Sequence, residues 1–195
     1  SIRDRCWKGS GISSRVATSC RMNDRQVVAA QLDRQPRSPV DVVARCHLQL
    51  PVVIKVPPHL DDGTPFPTLY WLTCPLAVRR IGRLEADGGV KKAEARLAAD
   101  LALRSEYQMA MQRYEAERDA LIPEVWVGPR PVGGVGGTRR GVKCLHAQYA
   151  DHAAGNANPV GSHTASAIEP LDCAARCVTD GAPVVRNPDW AEPGR

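Results

Sequence analysis

Hydrophobic and polar positions alternate along the chain in a way that predicts one helix followed by three strands. The helix is expected at residues 24–32, where Asn23 is a residue type that caps helix N-termini. The β-branched stretches "VDVVARC" (residues 40–46) and "PVVIKV" (residues 51–56) predict two strands, and "TLYWL" (residues 68–72) predicts a third. The sequence therefore predicts a small antiparallel sheet of about three strands.

After the third strand the pattern becomes helical. Pro75 suits the first position of a helix with apolar residues roughly on one side, ending before Gly88. Residues 90–121 are rich in Ala, Glu and Arg with apolar residues at helical spacing, which predicts a long helical region bent near Ser105. A last helix is expected in "VKCLHAQYADHAAG", ending at Gly155. The predicted fold class is α+β, a single domain in which the sheet is packed with about four to five helices.

Length and charge divide the chain into a folded domain and two flanking segments. At 195 residues and 43% hydrophobic content, the chain can bury one ordinary core. We expect a single α+β domain at residues 22–161 and a mostly irregular C-terminal tail at residues 162–195. Residues 1–21 lack any helical or strand period and hold five basic residues against Asp4, which gives +4 of the net charge of +5. We expect them to be a disordered leader, upstream of a true start at Met22.

Charge distribution and cysteine content exclude several classes of protein. Outside the leader the chain is nearly neutral, so nucleic-acid binding is not expected. The sequence has no run of about 18 apolar residues that would predict a membrane span, and we expect a cytoplasmic protein. The seven cysteines are scattered and odd in number, which is not typical of a secreted disulfide framework. They are expected to be thiols, either buried or bound to something.

Three cysteines are predicted to lie at the ends of secondary-structure elements. Cys74 ends the stretch "FPTLYWLTCP", where the third strand meets a helix whose unpaired N–H groups and dipole favour a thiolate. Cys46 ends a strand, and Cys144 lies in the first turn of the last helix. Since zinc is usually bound by thiolate and imidazole groups, these three cysteines are candidate zinc ligands.

Histidines near Cys144 supply further candidate ligands. On a regular helix Gln148, Asp151 and His152 share the face of Cys144, whereas His146 points roughly the opposite way unless the helix begins later. Cys173 and Cys177, four positions apart, form a second possible pair, and an iron–sulfur cluster is a less favoured alternative to zinc. The predicted metal ligands are Cys46, Cys74, Cys144, His146 and His152.

Other interpretations remain open from the residues alone. The chain contains no CxxC motif, so the three cysteines can equally be small buried hydrophobes. A cysteine-dependent enzyme would use Cys74 as the nucleophile and His146 or His152 as the general base. An interaction module would present the helical region at residues 90–121 to a partner protein.

Six stretches give the chain a resemblance to a known family. In chain order they are "QLDRQPR", "VARC", "DGTPFPTLYWLTCP", "RLEADGG", "GVKCLHAQYA" and "NPVG". Together they resemble the bacterial family known as domain of unknown function 501, over about residues 24–161. The family pattern resembles this chain at Cys46, at Cys74 and at the pair Cys144 and His146, which implies a shared metal site. Some relatives carry His in place of Cys74, an exchange that implies zinc rather than an iron–sulfur cluster.

The chain also departs from the family pattern, and relatives add an association. Family members often read "CPYG" where this chain has "CHLQ" at residues 46–49, and often have histidines in place of Gln148 and Asp151. If those histidines carry chemistry, this chain is weakened in that role. Relatives often lie beside genes for enolase, a septum-formation protein and an exopolyphosphatase. This association leaves open a role in cell division or phosphate metabolism, which a helix-mediated interaction module would serve through a protein partner.

Overall fold

The computed structural model describes residues 23–194, so the predicted leader, Met22, Cys6 and Cys20 lie outside the described residues. The elements of this part of the chain are α1 (Asp24–Leu32), β1 (Asp41–Arg45), β2 (Pro51–Lys55), β3 (Tyr70–Leu72), α2 (Pro75–Ala86), α3 (Gly89–Ala99), α4 (Leu101–Asp119), a 3-10 turn (Val135–Gly137), α5 (Leu145–Ala153) and α6 (Pro159–Ile168). The predicted α+β class and the three-stranded antiparallel sheet are confirmed, with six α-helices rather than four to five.

The sheet has the order β1-β2-β3, with both pairs antiparallel. Strand β2 lies in the middle and is buried along almost its whole length, which explains its continuous run of apolar residues. A tight turn joins β1 to β2: the Cys46 N–H donates to the Leu50 carbonyl at 3.0 Å, and the Gln49 N–H donates to the Cys46 carbonyl at 2.9 Å. This turn fixes Cys46 at one end of the sheet.

The joint between β3 and α2 is held to the same end of β2. The N–H of Thr73 donates to the Val52 carbonyl at 2.9 Å. Pro75 then occupies the first position of α2, where its missing N–H costs nothing and its fixed φ suits the helix. Cys74 is the N-cap residue between them, so the thiol predicted at this joint lies at the N-terminus of α2.

The long helical region divides at Asp100 into α3 and α4, five positions before the bend expected near Ser105. Asp100 has an extended backbone, with φ −121° and ψ 110°, and its carboxylate accepts the Leu103 N–H at 3.0 Å. An aspartate in this position satisfies a free N–H group at the start of α4. The division therefore needs neither glycine nor proline.

Helix α6 crosses the predicted boundary between the domain and its tail at residue 161. Asn158 caps the helix by accepting the Gly161 N–H at 2.9 Å, and Pro159 takes the first position. Gly161 allows α5 and α6 to approach closely, because a Cβ there would lie 2.2 Å from the Gln148 carbonyl oxygen. The folded part thus extends beyond residue 161, and the helix ends only at Ile168.

Residues 169–194, here called the C-terminal segment, contain no helix or strand in the described part of the chain, but they are fastened to the domain. Arg80 of α2 is 4% exposed and donates to the carbonyls of Ile168 and Pro170, each at 2.6 Å. Its guanidinium also pairs with Asp172 at 3.2 Å. Further along, a small hydrophobic cluster joins the segment to α1 and the β1–β2 turn through Val27, Leu50, Cys177 and Val178.

Candidate functional site

Cys74 is a buried thiol in the folded protein. Only 6% of the residue is exposed, and no side-chain hydrogen bond caps the helix there. Burial raises the pKa of Cys74 to about 12, although the backbone N–H groups of Ala77 and Leu76 act in the opposite direction. In the absence of a bound cation, Cys74 is therefore a neutral thiol at neutral pH. The effect of desolvation on the pKa of Cys74 thus outweighs the effect of the helix N-terminus, which was expected to favour a thiolate.

Three further cysteines surround this position. Cys173 and Cys177 raise the pKa of Cys74 further. For Cys177, burial raises the pKa most, and Cys46 and Cys173 add to this increase. Cys46 packs against both the main core that contains Cys74 and the smaller cluster that contains Cys177. All four are free thiols, and we refer to Cys46, Cys74, Cys173 and Cys177 as the cysteine cluster.

Two side chains donate hydrogen bonds to sulfur atoms of the cysteine cluster. The Trp190 Nε1–H donates to Cys173 Sγ at 3.5 Å, and the Gln31 Nε2–H donates to Cys177 Sγ at 3.6 Å. Gln31 is buried, and the same Nε2 also donates to the Pro51 carbonyl at 2.9 Å. N–H groups directed at sulfur stabilise negative charge on it. The surroundings of the cluster thus contain donors suited to a thiolate.

Cys144 and His146 lie in a different place, beside α2. Cys144 caps α5, and its sulfur accepts the Ala147 N–H at 3.5 Å. Burial is the main cause that raises the pKa of Cys144, and the nearby Glu85 adds to it, so the pKa is raised although the Ala147 bond lowers it. His146 has Nδ1 3.2 Å from Glu85 Oε1 and Nε2 3.2 Å from the Val78 carbonyl oxygen. Both ring nitrogens face acceptor atoms, so neither presents a free lone pair to a metal.

His152 occupies a third place, at the C-terminal end of α5. It lines a surface groove together with Asn156, Ser162 and His163. The five predicted ligands are therefore distributed over three locations, and only Cys46 and Cys74 have further cysteines as close neighbours. Among residues 23–194, no group of three or more His, Cys, Asp or Glu side chains is spaced so that it could already hold a metal ion.

A second buried site centres on Asp151, which is fully buried in α5. Its Oδ2 accepts from Arg113 Nη2 at 2.6 Å and from Asn158 Nδ2 at 2.9 Å, and its Oδ1 accepts from Asn156 Nδ2 at 3.1 Å. Gln148 is also fully buried: its Oε1 accepts from Asn158 at 2.8 Å, and its Nε2 donates to the Tyr107 hydroxyl at 3.0 Å. We call these six residues the polar network.

The polar network continues towards the sheet through Arg113. The Arg113 guanidinium pairs with Glu117 at 3.4 Å, and Glu117 also accepts from Lys55 at 2.8 Å and from the Tyr70 hydroxyl at 2.5 Å. Burial alone would raise the pKa of Glu117, but the bonds from Lys55 and Tyr70 outweigh burial and lower it. Glu117 is thus held ionised by neighbouring donors of the chain.

Sequence reasoning missed parts of both sites. Gln148 and Asp151 were expected to be donors near a metal, whereas their partners are Arg113 and Asn158, which sequence spacing does not connect to them. One signal was present, since the Asn-Pro pair that begins "NPVG" is typical of a helix N-terminus and could have located Asn158. The approach of the C-terminal segment to Cys74 had no signal of this kind.

The helical region proposed to bind a partner divides its large apolar side chains between the core and solvent. Leu97, Tyr107 and Tyr114 are buried, whereas Leu101, Met109 and Leu121 are exposed. Also among residues 23–194, no helix is both long enough and apolar enough to cross a membrane.

The fold and these sites define a small α+β protein whose chemistry-bearing side chains are a group of buried and half-buried thiols and a polar network around the buried Asp151. The family model described as "Protein of unknown function (DUF501)" matches residues 42–166, and the chain belongs to this family. The expected resemblance is confirmed, and the match includes Cys46 and Cys74 but ends before Cys173 and Cys177. No curated protein and no solved structure matches the chain.

Proposed function

We propose that this protein binds one zinc ion through the cysteine cluster and that the metal fastens the C-terminal segment to the domain. The observation that carries the proposal is the packing of four free thiols from three separate parts of the chain: Cys74 and Cys177 belong to two hydrophobic clusters, Cys173 packs against the first, and Cys46 packs against both. Four thiolates are a common ligand set for structural zinc. The proposal keeps Cys46 and Cys74 from the predicted ligands and replaces Cys144, His146 and His152 by Cys173 and Cys177.

The surroundings of the sulfur atoms support a thiolate-bound cation. Metal-bound thiolates usually accept N–H hydrogen bonds, and Trp190 and Gln31 direct such donors at Cys173 and Cys177. The backbone N–H groups at the start of α2 are the corresponding donors for Cys74. A dipositive ion would also offset the mutual repulsion that four neighbouring thiolates would otherwise feel.

Binding requires the sulfur atoms to move closer than they lie in the structure. Zinc holds sulfur at about 2.3 Å, which brings ligand sulfurs within roughly 4 Å of one another. The described residues contain no group already spaced in this way, so side-chain rotation and a shift of the C-terminal segment must accompany binding. Cys173 and Cys177 belong to a segment without helix or strand, which can shift at lower cost than the sheet or α2.

A zinc titration tests the proposal. The full chain, carrying Cys6→Ser and Cys20→Ser so that thiols outside the described residues do not compete, is titrated against a chromophoric chelator. We expect one zinc per chain, loss of binding in Cys74→Ser and in Cys177→Ser, and unchanged binding in the control Cys144→Ser. No competition with the chelator, or equal effects of Cys74→Ser and Cys144→Ser, would contradict the proposal.

The properties of Cys74 favour a metal ligand over the catalytic nucleophile. A nucleophilic cysteine needs access to substrate and a lowered pKa, whereas Cys74 is buried and its pKa is raised to about 12. Neither predicted base is in place, because His146 faces Glu85 and Val78 while His152 lines a distant groove on α5. A zinc ion can displace the thiol proton on binding, and zinc therefore does not require a pre-formed thiolate.

A further inference from the structure

A small apolar cavity lies between α3, α5 and α6, away from both the cysteine cluster and the polar network. Its volume is about 160 Å³. The walls are mainly aliphatic and consist of Leu84, Ala93, Leu97, Leu103, Leu145 and Val160. An enclosed cavity of roughly 150 Å³ with such walls accepts a guest of about the size of benzene, and this cavity offers a similar volume with an opening to solvent. The cavity therefore suits the apolar body of a small ligand.

Basic side chains surround the mouth of this cavity. Lys92 and Arg96 lie one turn apart on α3, His163 faces them from α6, and Asp87 is the one acidic residue among the lining side chains. Within residues 23–194, neither Lys92 nor Arg96 has a side-chain hydrogen bond or ion pair with another residue. Burial, together with the charge of Arg96, lowers the pKa of His163, so His163 is a neutral hydrogen-bond donor or acceptor at neutral pH.

We propose that this cavity binds a small carboxylate whose apolar part is about the size of one benzene ring. The ring would occupy the aliphatic cavity, and the carboxylate would remain at the mouth between Lys92 and Arg96. These two cations lack a protein partner among the described residues, so an anionic ligand supplies the charge that the chain itself does not. The location is independent of the proposed zinc ligands, and zinc binding is not needed for this site.

Phenylacetate is the probe, and binding is followed by methyl NMR of the full chain. We expect saturable shifts of the Leu97, Leu145 and Val160 methyl groups, with a Kd on the order of 1 mM or below. Benzyl alcohol, which has the ring without the charge, should bind at least about threefold more weakly, since each exposed cation contributes a modest attraction. Acetate, which lacks the ring, should give no saturable shifts.

Substitutions locate the two halves of the site. Lys92→Gln with Arg96→Gln should weaken phenylacetate binding roughly threefold to tenfold, whereas the neighbouring control Lys91→Gln should leave it unchanged. Ala93→Leu should fill the cavity and abolish binding. If Ala93→Leu does not fold, the double variant of the exposed residues Lys92 and Arg96 still tests whether the ligand binds at this cavity. Absence of saturable binding, equal affinity for benzyl alcohol, or equal effects of the double variant and Lys91→Gln would each overturn the proposal.

Discussion

The cysteine cluster and the polar network both have buried centres, Cys74 with Cys177 and Asp151 with Gln148, but they differ in how far the chain satisfies their polar atoms. In the polar network, Asp151 accepts hydrogen bonds from three side chains, and Gln148 uses both ends of its amide. In the cysteine cluster, Cys173 and Cys177 each accept one weak bond, and burial raises the pKa of Cys74 and of Cys177. The carboxylate of Asp151 and the amide of Gln148 thus have partners from the chain, although Arg113 Nε is buried without one. The proposed zinc ion would supply the cation that the cysteine cluster lacks.

Among the predictions that follow, zinc binding to the cysteine cluster should produce the largest change in the free energy of unfolding. At free zinc about 1,000 times Kd, the free energy of unfolding should rise by about 4 kcal/mol, because the metal binds the folded chain preferentially. Urea unfolding of the full chain with and without zinc measures this gain. Cys74→Ser should remove nearly all of it. A gain that survives in Cys74→Ser would place the metal outside the cysteine cluster.

Removal of the central carboxylate should break the polar network. Asp151→Ala leaves Arg113 and Asn158 without their shared acceptor, which should lower the free energy of unfolding by about 3 kcal/mol. Arg113 is about one third exposed, so solvent keeps the loss below that of a fully buried pair. Urea unfolding compares this variant with the control Asp180→Ala.

The control removes one partner of an exposed ion pair between Asp180 and Arg176, which should change stability by no more than about 0.5 kcal/mol. The folded fraction of the Asp151→Ala variant should bind zinc with nearly unchanged affinity. If Asp151→Ala cost no more than the control, the network would not be the well-satisfied region described above.

Arg80 connects the fold to the cysteine cluster. Arg80→Ala leaves the carbonyls of Ile168 and Pro170 unpaired, and we expect a loss of about 2 kcal/mol in the free energy of unfolding. Zinc affinity should fall as well, because the C-terminal segment that holds Cys173 is loosened. The control is Arg37→Ala, since Arg37 is exposed and its ion-pair partner Asp62 lies outside the C-terminal segment. Similar zinc affinities for the two variants would show that Arg80 does not position the segment.

Alkaline pH should weaken the metal-free protein modestly. The pKa of Cys74 is raised from its ordinary value to about 12 on folding, so the neutral thiol stabilises the folded state. This contribution is fully present below the unfolded pKa and is lost as pH rises towards the folded pKa. Between pH 8 and pH 10 the free energy of unfolding should fall by on the order of 1 kcal/mol.

Urea unfolding across this pH range checks the expectation, and Cys74→Ala, which lacks the thiol, should show a smaller decrease than the unsubstituted chain. Equal decreases would mean that Cys74 does not titrate in the predicted way.

Zinc affinity has the opposite pH dependence: it should rise as pH increases from 6 to 8, because fewer protons must then be displaced from the thiols.

The smallest effect is expected at Cys144. Cys144 caps α5 through a weak N–H···S contact, and serine is a better N-cap residue. Cys144→Ser should therefore change the free energy of unfolding by no more than about 0.5 kcal/mol and should leave zinc binding intact. Thermal unfolding measures the first effect. A large loss of zinc binding in this variant would restore the original set of predicted ligands.

Most of the local structure could be predicted from the sequence, because it depends on nearby residues. The run of apolar residues in β2, the Pro75 start of α2 and the Asn23 cap of α1 each act within a few positions. The break at Asp100 and the start of α6 at Pro159 also depend on nearby residues, because Asp100 caps α4 and Asn158 caps α6. The sequence prediction did not include these two caps.

The sites were less predictable because they depend on contacts between distant positions. Cys74 was correctly placed at a helix N-terminus, but its protonation depends on burial in the main core, against which Leu171, Cys173 and Trp190 of the C-terminal segment pack. That segment follows the path set by Arg80, which bonds residues about 90 positions away, and no periodic pattern encodes such a contact. Asp151 likewise meets Arg113 across 38 positions.

X-ray absorption spectroscopy at the zinc edge tests the central claim most directly. The full chain with Cys6→Ser and Cys20→Ser is loaded with one equivalent of zinc. We predict a first shell of four sulfur atoms at about 2.3 Å in this chain and no bound zinc in Cys177→Ser. A shell dominated by nitrogen or oxygen at about 2.0 Å, or a chain that retains no zinc, would contradict the account.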